Sequence, residues 1–169
     1  MALYQIYNGP SPTTAAQVAV TTGTSIKTLL QVKASATKPF IIVEWGISFD
    51  GSAAATPIKV ELLETDVAAT VTASAAADIV KLDCEALNGG DPTTNLVPVG
   101  TTSTGYTSTA EGTITATREF DVQFIAPTNQ YVKQFPLGRE PMIQVSKFAR
   151  IRVTAGAAVN AYCYMTIQV

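Results

Sequence analysis

Glu61 with Glu64, or Glu44 with Glu61, come nearest in this sequence to a catalytic pair. Two facing carboxylates can divide acid and nucleophile work at a glycosidic bond. All three glutamates fall in alternating β-prone runs, where an outward charged face explains them more simply. The chain has no histidine, which removes the commonest general base, the triads built on it and most zinc sites. Gly100-Thr101-Thr102-Ser103-Thr104-Gly105 has glycines suited to a phosphate loop, but no lysine follows and no helix is predicted after it. Asp78, Asp83 and Asp91 could offer oxygens to calcium, yet their spacing fits no calcium loop. Arg150 and Arg152 share a strand face with Phe148, which is weak evidence for nucleic-acid binding in a chain of net charge −2. The expectation is a protein that is not an enzyme and uses no cofactor or metal.

The elements that position these residues are strands. Ile41, Val43, Trp45, Ile47 and Phe49 alternate with Ile42, Glu44, Gly46 and Ser48, the period of a half-buried strand. Asp50-Gly51-Ser52 supplies turn chemistry, and Ile58, Val60 and Leu62 then alternate with Lys59 and Glu61. The stretch from Phe40 to Asp66 reads as a hairpin around the single Trp. Further strands are predicted at Ile26–Lys33, around Phe120–Phe124, at Tyr131–Phe135, across Phe148–Val153 and at Val159–Val169. In the last of these, Ala161, Cys163, Met165 and Ile167 share a face opposite Tyr162 and Tyr164. Val67 to Ala77 suits a short helix or a poor strand equally. Eight to ten short strands with no sustained 3.6-residue pattern predict an all-β protein, an antiparallel β-sandwich of jelly-roll or Greek-key type. Its predicted core is Trp45, Ile47, Val60, Leu62, Ile151, Val153, Cys163 and Met165.

Only 14% of residues are charged, while Thr and Ala number 24 each. That composition suits either a β-protein largely covered by neighbours or a secreted sandwich with a Thr-rich exterior. Residues 40–91 hold nine carboxylates against two lysines, and residues 130–169 hold five cations against Glu140. Interleaved strands could neutralise the two regions within one subunit; otherwise they form complementary patches between subunits. Modest net charge and the lack of a long apolar run predict neither a nucleic-acid nor a membrane partner. The N-terminus lacks the basic start and apolar run of a signal peptide. Two cysteines, Cys84 and Cys163, set no disulfide framework, though one pairing is possible.

Residues 1–16 read as an arm, because Asn8-Gly9-Pro10-Ser11-Pro12 breaks regular structure. Tyr4, Ile6 and Tyr7 would anchor it on a partner. Residues 17–169 form the sandwich domain, with a long loop at about 84–109 that is either a binding loop or a surface insertion. Leu29, Leu63, Tyr162 and Tyr164 fall on strand faces expected to point outward, and with Arg150 and Arg152 they form a candidate subunit interface.

Val43-Glu44-Trp45-Gly46-Ile47-Ser48-Phe49-Asp50-Gly51, Lys59-Val60-Glu61-Leu62-Leu63-Glu64-Thr65-Asp66 and Pro136-Leu137-Gly138-Arg139-Glu140 look familiar together. So do Val145-Ser146-Lys147-Phe148 and Arg150-Ile151-Arg152-Val153. Over about residues 40–160 the chain resembles small all-β structural proteins of tailed-bacteriophage virions, most nearly those that decorate the head. The resemblance implies a cement protein, made in the host cytoplasm and bound to the capsid exterior. Such a protein is usually a homotrimer over threefold positions, clamping neighbouring subunits of the major capsid protein. A tail-associated or receptor-binding sandwich, or a carbohydrate-binding module, is the alternative, for which Tyr162 and Tyr164 would supply aromatic surface.

Overall fold

The computed structural model describes residues 2–52, 54–82 and 96–169. In chain order the strands are β1 (Leu3–Tyr7), β2 (Val20–Thr21), β3 (Ile26–Lys33), β4 (Phe40–Asp50), β5 (Ile58–Thr65), β6 (Thr70–Ala73) and β7 (Ile79–Lys81). They continue with β8 (Gly105–Ala110), β9 (Thr117–Ile125), β10 (Gln130–Gln134), β11 (Met142–Ile143), β12 (Phe148–Thr154) and β13 (Asn160–Gln168). One sheet has the order β10-β4-β13-β1-β7, with β11 beside β4 and β2 beside β13; the other runs β6-β8-β3-β12-β5-β9.

Eight of these strands make a jelly roll. β1, β3, β4 and β5 pair antiparallel with β13, β12, β10 and β9, in reverse order. This doubled-back path wraps into two facing sheets. The antiparallel sandwich expected from the strand patterning is therefore the fold. The chain between β5 and β9 is an addition to it. There β8 and β6 extend one sheet beyond β3, and β7 extends the other beyond β1.

The eight predicted core residues are all buried between the sheets. Trp45 packs on Tyr131, ring centroids 5.4 Å apart, in a tilted arrangement that favours the ring quadrupoles. Trp45→Ala is expected to cost about 3–5 kcal/mol, read as a lowered urea midpoint. A near-wild-type midpoint would remove Trp45 from its central role.

Four expectations need correction. The stretch Phe40–Asp66 is not a hairpin: β4 and β5 belong to different sheets, so the turn at Gly51 carries the chain across the sandwich. Second, the alternation of β4 does not persist. Opposite β13, Thr166 faces Glu44 but Ile167 faces Ile42, so Val43 is an extra residue. This bulge inverts the strand, and Phe40 and Ile42 enter the core while Ile41 and Val43 are only half-buried. Third, residues 1–16 are not a free arm. Leu3–Tyr7 is an internal strand between β13 and β7. After it, Asn8 donates its side-chain amide to Ala161 O and accepts from Cys163 N.

Fourth, the long loop is shorter than expected. Gly105–Ala110 is β8, and Val97 and Thr104 are buried against the sandwich. Residues 84–95 of that loop, Cys84 among them, lie outside the described residues, as does Asp83; Cys163 is free and buried. The Val67–Ala77 region contains both alternatives, the strand β6 and a 3-10 turn at Ala76–Asp78.

Candidate binding surface

The predicted site residues separate into three environments. Tyr4 and Ile6 are in the core, and so is Leu29. Leu29 enters through a second bulge: Leu30 faces Ile151 and Thr28 faces Arg152, leaving Leu29 as the extra residue, so consecutive leucines both turn inward. Leu63 keeps its place on the outer face of its sheet, beside Arg150, but is buried there as well. None of Tyr4, Ile6, Leu29 and Leu63 can serve as an outward contact.

Arg150 is also inside, at 0% exposure. Its Nη1 donates to the Glu111 carbonyl at 3.1 Å and to Glu111 Oε2 at 3.2 Å, and its Nη2 donates to Val67 O. These groups come from the two ends of the β6–β8 addition, which thus lies over the outer face of the second sheet. Gln31, paired with Arg150 in β3, exchanges hydrogen bonds with Ala69 and donates to Ser103 O at 2.6 Å. Gly100–Gly105 is therefore part of this cover, with Thr104 Oγ1 accepting from Lys33 N at 3.0 Å. Glu111 also closes the Leu29 bulge, accepting from Thr28 N and Thr28 Oγ1 at 2.6 Å each. Burial pushes the Arg150 guanidinium down to about 10, against the attraction of Glu111, so it stays charged at neutral pH.

Several other carboxylates are also held within the chain. Glu61 contacts Lys59 at 2.6 Å and Arg152 at 2.9 Å. Glu64 accepts two bonds from Arg118, at 2.8 and 2.6 Å, and one from Gln144 N at 2.8 Å. Asp121 bridges the open side of the sandwich, meeting Tyr131 Oη at 3.0 Å and Lys133 Nζ at 3.2 Å. Burial, then this carboxylate, push the Tyr131 hydroxyl up to about 12. Asp78 accepts from Ser11 N and Ala75 N at 2.8 Å each, a turn-fixing role. Among the described residues one ion pair, Arg152 with Glu61, joins the basic region to the acidic one, while Lys133 and Arg150 meet Asp121 and Glu111 instead. Glu44 and Glu61 lie on different sheets, and no group of three potential metal-ligating residues occurs among the described residues.

These pairings predict acid sensitivity. Burial raises the Glu61 and Glu111 carboxyls, but Lys59 and Arg152, and Ser108, Thr28 and Arg150, more than reverse it, leaving both low. The Thr115 hydroxyl, with the Ala116 amide, holds Asp66 down at about 2. In acid the unfolded chain therefore binds more protons than the folded one. This stability is complete above the ordinary carboxylate range of about 4 and is lost as pH falls toward 2. A urea midpoint lower at about pH 3 than at about pH 7 is the expected result; equal midpoints would show that these contacts do not stabilise the fold.

Among the described residues the outer face of the first sheet has no such cover. Val132, Gly46, Tyr164 and Tyr7 form one row across β10, β4, β13 and β1. Gln130, Ser48 and Tyr162 form the next. Tyr7, Ser48, Gln130, Val132, Tyr162 and Tyr164 from these rows line a shallow groove of about 170 Å³. A side chain at Gly46 would bring its Cβ within 2.6 Å of Tyr164 Cε1, so the glycine lets that ring lie on the sheet. Tyr164 Oη donates to Glu44 Oε1 at 2.5 Å, Tyr162 Oη donates to Gln17 O at 2.9 Å, and Tyr7 packs 5.7 Å from Tyr164. Tyr162 and Tyr164 were expected to face outward and do. Tyr7 joins them as part of the sheet rather than of an arm, and a lone glycine within a strand was the sequence signal for the close approach.

The described residues thus define an all-β jelly-roll sandwich, with one sheet face covered and the other left open among them. Comparison of the chain with protein-family models, with curated proteins and with solved structures found no match.

Proposed function

We propose that this chain is a non-catalytic virion structural protein, one that decorates and stabilises a bacteriophage capsid by binding over major capsid protein subunits. The observation that carries this reading is the connection from β10 to β12, the region that includes Pro136–Glu140 of the resemblance. Arg139 N donates to Pro136 O at 2.9 Å, and Gly138 has φ +80°, a tight turn with glycine at the position that needs a positive φ. At its tip Leu137 is 97% exposed, and Met142 and Val145 farther along are also exposed. Large apolar groups on a fixed turn are what a partner surface can cover. The trimer over threefold positions that the resemblance implies belongs to the same proposal, although Leu29, Leu63 and Arg150 cannot form its interface.

Leu137→Ser provides the test. A surface substitution of this kind should change stability by no more than about 0.5 kcal/mol. Cosedimentation with phage heads lacking the protein is expected to weaken about tenfold or more, since burying a leucine contributes about 1.5–3 kcal/mol. Failure of the wild-type protein to cosediment with heads would overturn the proposal, and its sedimentation alone reports the oligomeric state.

A further inference from the structure

We infer that the tyrosine-lined groove on the outer face of the first sheet binds the ring of a neutral pyranose sugar. Three properties of the groove lead there. Its aromatic rings are positioned in advance: Glu44 fixes the Tyr164 hydroxyl, the Gln17 carbonyl fixes that of Tyr162, and Gly46 leaves the space under Tyr164 clear. An aromatic face carries negative quadrupole charge, which attracts the polarised C–H bonds on one side of a pyranose. Orientation then requires few further polar groups.

Those polar groups are present. Ser48 and Gln130 line the groove, and neither side chain has a hydrogen bond among the described residues. A hydroxyl and an amide beside tilted tyrosine rings match the vicinal hydroxyls of a sugar.

Charge and size narrow the ligand. Among the described residues no lysine or arginine lines the groove, and Glu44, bonded to the Tyr164 hydroxyl, repels anions, which disfavours phosphates, nucleic acids and acidic sugars. Its volume of about 170 Å³ is below the roughly 300–1,000 Å³ of drug-sized pockets, so the groove suits one ring, such as the terminal residue of a surface glycan. This inference stands apart from capsid attachment, which rests on the Leu137 turn.

The test is saturation-transfer NMR with the methyl glycosides of glucose, galactose and N-acetylglucosamine, each at millimolar concentration. Transfer to the ring protons of at least one glycoside is expected. Tyr162→Ala and Gln130→Ala should each weaken that glycoside's binding about tenfold while leaving the melting temperature unchanged. Tyr164→Phe, which keeps the ring but frees Glu44, should weaken it less. If either alanine variant fails to fold, the wild-type tyrosine resonances provide the second readout and should shift on titration with the glycoside. Absence of transfer from all three glycosides overturns the inference. So does transfer that is unchanged in folded variants, or protection of Tyr162 and Tyr164 by a second copy or by phage heads with no glycoside signal.

Discussion

Deletion of residues 1–7 is expected to abolish folding. Reading these residues as an arm implies the opposite, an intact fold that binds its partner less well. The difference comes from β1, which occupies an internal place with Leu3 opposite Gln168 and Tyr7 opposite Tyr164 on one side and β7 on the other. Its removal exposes the β13 edge and separates β7 from the sheet, leaving buried backbone groups unpaired. Tyr4 and Ile6 leave the core at the same time. Comparable single truncations of buried side chains cost about 2–5 kcal/mol each, against a total stability of about 5–15 kcal/mol for a domain. Circular dichroism and a urea titration provide the measurement: a truncated chain that still unfolds cooperatively would show that β1 is dispensable.

Arg150→Glu is expected to be the most damaging single substitution. Removing one partner of a buried ion pair costs about 3–5 kcal/mol, because the other charge is left uncompensated. The introduced carboxylate would also face Glu111, and the Val67 and Glu111 carbonyls would lose their donor. Arg150→Ala should show the first part of this cost alone. Arg152→Glu should be milder, since Arg152 is only half-buried and Glu61 retains Lys59. The order of urea midpoints, wild type above Arg152→Glu above Arg150→Glu, is the expected result. A midpoint for Arg150→Glu near that of wild type would place the guanidinium in solvent. Impaired assembly of an Arg150 variant would accordingly report a lost fold, not a lost subunit contact.

Alternation by itself determined which side of several strands is buried. Val60 and Leu62, Ile151 and Val153, and Cys163 and Met165 enter the core as the period-two pattern requires, because successive strand side chains point to opposite faces. Tyr162 and Tyr164 turn outward for the same reason. The absence of histidine and the scarcity of charge were equally plain, and with them the expectation of a non-catalytic sandwich.

Only the tertiary structure decided the rest. Alternation indicates a face but not the sheet to which a strand belongs, so β4 and β5 resemble a hairpin while standing on opposite sheets. A bulge adds one residue without a local signature, and the bulges at Val43 and Leu29 reverse the facing of the residues beyond them. Arg150 and Gln31 read as surface residues because arginine and glutamine are seldom buried. They are buried here because carbonyls of Val67, Ala69, Ser103 and Glu111, distant in sequence, supply their hydrogen bonds. A polar side chain can leave water once such partners replace it, and their positions follow from the path of the whole chain.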